Sequence, residues 1–150
     1  MNCVRSTLLL VAVLLGTWLA QPAVTNQAVQ FRAVDIFIDS KETPLAAYQL
    51  EFRVKTGDAK VVGVEGGEHP AFKDAPFYDP QAIQHERVII AAFSTAAADK
   101  LPEGKTRVAT IHVQLSGHQP PQFDLRLEAA ATTGGKSIRV EGTFEERKPE

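Results

Sequence analysis

The four histidines of this 150-residue chain, His69, His85, His112 and His118, are its most versatile side chains for binding metal or moving protons. No two have the spacing of paired ligands, i, i+4 on a helix or i, i+2 on one strand face. His112 falls on the polar side of an alternating segment and His118 in a Gly/Pro turn, so both read as solvated surface. His69 and His85 bracket a loop that also holds or adjoins Glu65, Glu68, Asp74, Asp79 and Glu86. Imidazole and carboxylate oxygens could gather zinc or calcium there. The spacing fits no named site, and no metal or cofactor is expected. None of Ser40, Ser94, Ser116 and Ser137 sits in a G-x-S-x-G turn, which leaves a hydrolase nucleophile without a motif. Gly66-Gly67 lacks the Gly-Lys-Ser/Thr ending and the following helix of a phosphate loop; it reads as a strand terminator using the backbone freedom of glycine. A glycosidase needs two carboxylates held about 5–10 Å apart, and nothing in the spacing forces any pair together. The chain therefore reads as non-enzymatic.

What remains is recognition chemistry. Residues 65–72, Glu-Gly-Gly-Glu-His-Pro-Ala-Phe, followed by Phe77-Tyr78-Asp79-Pro80, form the most unusual stretch. Glu68, His69, Phe72, Tyr78 and Asp79 are the candidate binding residues, offering aromatic contacts and hydrogen-bond acceptors. The structural alternative is a loop covering one edge of the fold, with Phe72 and Phe77 plugged into the core. The two are compatible, since plugs would hold the loop while Glu68, His69 and Asp79 stay exposed.

The elements positioning this loop alternate with period 2, which sends successive side chains to opposite faces of a strand. Val34, Ile36 and Ile38 alternate with Asp35, Phe37 and Asp39. Tyr48, Leu50, Phe52 and Val54 alternate with Gln49, Glu51, Arg53 and Lys55, and Thr56-Gly57-Asp58 is turn chemistry. Val61, Val62 and Val64 make a short strand. Segment 68–84 is irregular, with Pro70, Pro76 and Pro80 unable to donate to a sheet ladder. Residues 88–93 are continuously apolar and predict a central strand buried on both faces. Ala109, Ile111, Val113 and Leu115 form the next strand, Phe123, Leu125 and Leu127 another, and Ile138, Val140 and Phe144 a last one after Thr133-Gly134-Gly135-Lys136. Seven to nine short strands without an amphipathic helix predict an all-β fold, a two-sheet antiparallel β-sandwich of jelly-roll or immunoglobulin-like type.

Before these strands lies Arg5 and then an unbroken apolar run over 8–15. The run is too short for a span of about 20 residues and matches the apolar core of a secretory signal peptide. The expected organisation is a signal peptide over 1–23 cleaved near 20–23, a linker over 24–32, a sandwich domain over 33–144 and a charged, frayed tail over 145–150. An uncleaved anchor is the alternative, and it is the one membrane contact foreseen. Cleavage would remove Cys3 and Trp18, leaving no thiol for a disulfide, nucleophile or metal. With 16 Lys+Arg against 18 Asp+Glu, the chain has no basic stripe for nucleic acid. The location expected is extracytoplasmic, either secreted or at the envelope.

Several segments in order resemble the cohesin domain and the β-sandwich superfamily that cohesins share with some cellulose-binding modules. They are Tyr48-Gln49-Leu50-Glu51-Phe52, the valine-rich run 58–67 ending in Gly66-Gly67, the strand Glu86-Arg87-Val88-Ile89-Ile90-Ala91-Ala92-Phe93-Ser94, and Leu101-Pro102-Glu103-Gly104 leading into 107–113. The likeness covers residues 33–128. It implies a nine-stranded jelly roll with a non-catalytic binding role, since cohesins bind a protein module through a sheet face and their relatives bind polysaccharide. A Tyr78-Asp79-Pro80 stands in the long loop, whereas the family pattern has it after the early strand. Without Trp, and with Tyr48 and Tyr78 alone, the processed chain has no flat aromatic strip for crystalline polysaccharide. The expectation is a protein-binding module, with soluble-glycan binding through the long loop and Tyr78 as the alternative.

Overall fold

A computed structural model describes residues 29–117 and 119–147. The expected signal segment, its cleavage site, His118 and residues 148–150 lie outside the described residues. The chain forms strands β1 (Gln30–Asp39), β2 (Ala47–Thr56), β3 (Ala59–Gly66), β4 (Phe77–Tyr78), β5 (Arg87–Phe93), β6 (Lys105–Leu115), β7 (Gln122–Ala131) and β8 (Glu141–Glu146). They pair antiparallel into two four-stranded sheets, sheet A in the order β3-β6-β1-β8 and sheet B in the order β4-β5-β2-β7. The fold is thus the all-β sandwich the alternation predicts.

The two inner faces meet through the residues that the period-2 pattern sends inward. Val34, Ile36 and Ile38 of β1, Leu50 and Phe52 of β2, Val88 and Ile90 of β5, and Ile111 and Val113 of β6 are each 1% exposed or less. Aliphatic and aromatic side chains interdigitating between twisted sheets supply the dry layer that holds such a fold. A bulge in β6 interrupts its phase: Ile36 faces Ala109 while Phe37 faces Arg107, so Val108 is left over and both Val108 and Ala109 are buried. The Tyr48 hydroxyl, reaching across from β2, donates to the Val108 carbonyl at 3.1 Å. Burial pushes the Tyr48 phenol well above its ordinary pKa, so it stays a donor.

Four expectations change. β5 is buried on one face only: Val88 and Ile90 point inward, while Ile89 and Phe93 are exposed because, among the described residues, no further layer covers sheet B. β1 begins at Gln30, so Gln30–Arg32 pair with β6 instead of belonging to the 24–32 linker. The last strand starts at Glu141; Ile138 and Val140 precede it and pack on the core rim, tied through the Ser137–Ala131 bridge. The start of the charged tail is not frayed, because Glu145 and Glu146 lie in β8. Beyond them the Arg147 amide donates to the Ala33 carbonyl at 2.9 Å, and its guanidinium makes two 2.8 Å bonds to Asp35.

Candidate functional site

The long loop between β3 and β5 folds as a series of capped turns. His69 stands at the N-cap of a 3-10 turn, Pro70–Phe72, where its Nδ1 accepts from the Ala71 amide at 3.1 Å. Asp79 repeats the device for Pro80–Ala82, its Oδ1 accepting from the Gln81 amide at 2.9 Å. Proline at the first position of each turn needs no donor partner there. Glu68 grips β6: its amide donates to the Arg107 carbonyl at 3.0 Å and its carboxylate accepts from the Arg107 amide at 3.1 Å. Gly66 and Gly67 end β3 as foreseen, but by close approach, not by an unusual φ. A Cβ on Gly66 would sit on the Lys73 carbonyl, and one on Gly67 on the Arg107 carbonyl.

The five candidate residues therefore do not form one site. Phe72 is 3% exposed and packs edge-on against the Tyr48 ring with centroids 5.3 Å apart, so it anchors the loop and is closed to a ligand. Glu68 and His69 hold backbone at the β3 end of the loop. Tyr78 and Asp79 lie together at the other end, beside β5. Phe77, expected as a second plug, is 69% exposed: as the outward residue of β4, it stacks on Phe93 of β5 with centroids 6.0 Å apart and planes 10° apart.

That stack belongs to a larger feature, the outer face of sheet B. Register places Phe77 beside Ala91, Ala91 beside Gln49, and Gln49 beside Ala129; the next row is Phe93, Ala47 and Ala131. The result is a shallow groove of about 280 Å³ with an alanine floor and a phenylalanine wall. Small floor residues let a partner approach the sheet closely, and exposed rings offer large area with few rotatable bonds. The other half of the same face is charged. Glu51, 8% exposed, lies between two arginines, with Arg53 Nη2 and Arg87 Nη2 each 2.5 Å from its carboxylate. The hydrogen bond from Arg87 foremost, helped by Arg53, holds the Glu51 carboxyl below its usual range against its desolvation.

On the far side of Phe77 lies a second, larger groove of about 600 Å³, between the returning loop and β5. Phe77, Tyr78, Ala82, Ile89 and Ala91 make it apolar, and Asp79, Gln81, His85 and Arg87 give it polar groups. The loop's return is pinned to β3 by Gln84 N to Val61 O and Val61 N to His85 O, both 2.8 Å, with Gln84 at φ +72°. The groove is thus preformed by backbone pairing.

Sheet A carries the main polar cluster on its outer face. Asp35 accepts from Thr110 at 2.7 Å and from Arg147, with Arg107 4.0 Å away. Burial raises the pKa of Asp35, but these hydrogen bonds and charges outweigh it and leave the carboxyl below its ordinary value. His112 Nε2 lies 3.1 Å from Glu65. Asp35, Thr110, Arg107 and Arg147 are paired with one another, and the cluster ties β1, β3 and β6 to Arg147, which follows β8. Among the described residues no three of His, Cys, Asp and Glu gather as metal ligands.

Compared with known proteins, the chain matches no family model, no curated protein and no solved structure. The phenylalanine wall and alanine floor escaped sequence reading. Their signal was the unbroken apolar run 88–93, which breaks the polar alternation expected of a solvated sheet face.

Proposed function

We propose that this chain is an exported, non-catalytic binding module that takes a protein partner on the apolar half of the outer face of sheet B. The observation that carries this reading is the stacked pair Phe77 and Phe93, 69% and 63% exposed, standing over an alanine floor on a rigid sheet. Solvated sheet faces normally alternate to polar residues. Contiguous exposed apolar surface rimmed by polar groups marks interaction sites, and aromatic residues are enriched at their centres. The cohesin likeness supports the same reading, since it implies binding through a sheet face. Export rests on Arg5 and the apolar run 8–15.

The test is affinity capture from the envelope and culture-fluid fractions of the source organism, comparing the protein with its Phe77→Ser and Phe93→Ser variants. Calorimetry on the purified captured protein follows. Both variants are expected to weaken binding by about 5–30-fold. Equal affinity in all three would remove the sheet B face from the reading.

A further inference from the structure

We infer that the partner on the outer face of sheet B is a second copy of this chain, related by a two-fold axis that runs between the copies, roughly parallel to the strands. This rests on the reading of the Phe77 and Phe93 face as a docking surface and names what covers it. The outward residues form rows across β4, β5, β2 and β7. One row is Phe77, Ala91, Gln49 and Ala129, and its neighbour is Phe93, Ala47 and Ala131. The large side chains thus stand on the β4–β5 side and the small ones on the β2–β7 side. A two-fold axis along the strands exchanges these sides and keeps each row opposite itself. Phe77 then lies over Ala129 of the second copy and Phe93 over its Ala47. By symmetry each copy's wall fills the other's groove.

Charge complementarity selects the same occupant. The next row carries Ile89, Glu51 and Arg126 on β5, β2 and β7. Asp79, two residues past Phe77 and on its side of the sheet, borders that row beside Ile89. Exchanging the sides brings Asp79 of each copy to Arg126 of the other, so opposite charges meet twice. Both are available: Asp79 caps its turn through Oδ1 and keeps Oδ2, and the Arg126 side chain is 76% exposed, with Glu128 3.6 Å away. A strongly acidic partner would be repelled at Asp79 and a strongly basic one at Arg126, whereas a second copy satisfies both. One row further, Arg87 and Arg53 would meet like charges, although each is already bonded to Glu51. Sheets packed face to face cross at about 30°, which carries that row out of register and leaves the contact at the phenylalanine end. The matched patch spans three strand spacings and two row spacings, about 14 Å each way. That is small for a permanent interface, so the dimer forms and dissociates with concentration.

The experiment is sedimentation equilibrium of the full chain up to about 1 mM, beside its Phe93→Ser and Arg126→Glu variants. A monomer–dimer equilibrium is expected. Phe93→Ser should weaken it by about 25-fold or more, because each dimer loses twice a ring worth about fivefold or more. Arg126→Glu, which sets like charges together at two places, should weaken it by a factor of about two or more. NMR of a sample mixing isotope-labelled and unlabelled protein checks the arrangement. A nuclear Overhauser effect is expected between the Phe77 ring of one copy and the Ala129 methyl of the other. Within one copy these groups stand three strand spacings apart, about 14 Å, too far for the effect. A chain that stays monomeric to about 1 mM, or a dimer that either variant leaves unchanged, overturns the inference. A monomer that still binds a different protein through Phe77 and Phe93 overturns the second copy alone and leaves the docking face standing. Capture and self-association that are both indifferent to Phe93→Ser remove the docking face as well.

Discussion

Truncating Phe93 to alanine separates docking from stability. Phe93 is 63% exposed, so a little over a third of it is already buried in the folded chain. Full burial of a phenylalanine side chain is worth about 1.5–3 kcal/mol, which puts the present contribution at about 0.5–1 kcal/mol. Its stack on Phe77 adds about 0.5–1 kcal/mol. Phe93→Ala should therefore lower the unfolding free energy by about 1–2 kcal/mol. That is well short of the roughly 3–5 kcal/mol expected for Phe52, which is fully buried. The larger, solvent-facing part of the ring is what a partner would cover, worth about 1–2 kcal/mol, or about 5–30-fold in Kd. Urea unfolding measures the first quantity. Anilinonaphthalene sulfonate fluorescence gives a partner-free view of the second, and it should fall in the variant because an exposed apolar groove loses its wall. A loss of stability on the scale of a core phenylalanine, together with unchanged dye binding, would refute this account of Phe93 as a docking residue.

Other outcomes follow from the same geometry. Tyr48→Phe removes the donor to the Val108 carbonyl and should cost about 1–2 kcal/mol in urea unfolding, since it leaves a buried acceptor at the β6 bulge unpaired. Gly67→Ala places a Cβ on the Arg107 carbonyl and should cost about 2–4 kcal/mol, with the loop from Glu68 losing its protection from amide hydrogen exchange. For pH, the folded Asp35 carboxyl titrates below its ordinary value. Its contribution is fully present above the unfolded value of about 3.9 and is lost as pH falls through the lower folded one. Urea midpoints should fall below about pH 4, and Asp35→Asn should flatten that dependence while lowering stability at neutral pH. A variant ending at Glu146 should lose the Arg147 bonds to Asp35 and Ala33 and melt at a lower temperature, with β8 exchanging first.

Much of the architecture was legible because alternation is a property of short stretches. Val34 to Ile38, Tyr48 to Val54 and Ile111 to Leu115 each carry their own face assignment, and all three segments point inward as read. The loop was legible in part. Proline and glycine marked it as irregular, yet nothing local distinguishes Phe72, which is buried, from Phe77, which is not. That difference is set by where the chain passes Tyr48 and β5. The capping roles of His69 and Asp79 were visible in principle, as each immediately precedes a proline that begins a turn. The same residues read equally well as free ligand groups, and only coordinates show the amides they accept from. The start of the tail, residues 145–147, was misread because charge alone suggests fraying, whereas Arg147 finds Asp35 more than a hundred positions earlier in the chain.

The segment Val88-Ile89-Ile90-Ala91-Ala92-Phe93 holds the most instructive error. A continuous apolar run predicts a strand covered on both sides, and among the described residues β5 is covered on one. Two-sided apolarity still demands a physical account, because Ile89 and Phe93 in water lose free energy that polar residues would not. Neighbouring strands make the same choice on the same face: Ala47 on β2, Ala129 and Ala131 on β7 and Phe77 on β4 all forgo the polar residue a solvated sheet would carry. Four strands agreeing in this way is a property of the surface and not of one stretch of sequence. It is the composition expected of a face that spends part of its time against another surface. The charged rows at the other end, with Glu51 held between Arg53 and Arg87, keep the rest of sheet B soluble and confine any such contact to the phenylalanine end. A burial pattern that fails among the described residues becomes intelligible if the proposed partner supplies the layer over sheet B.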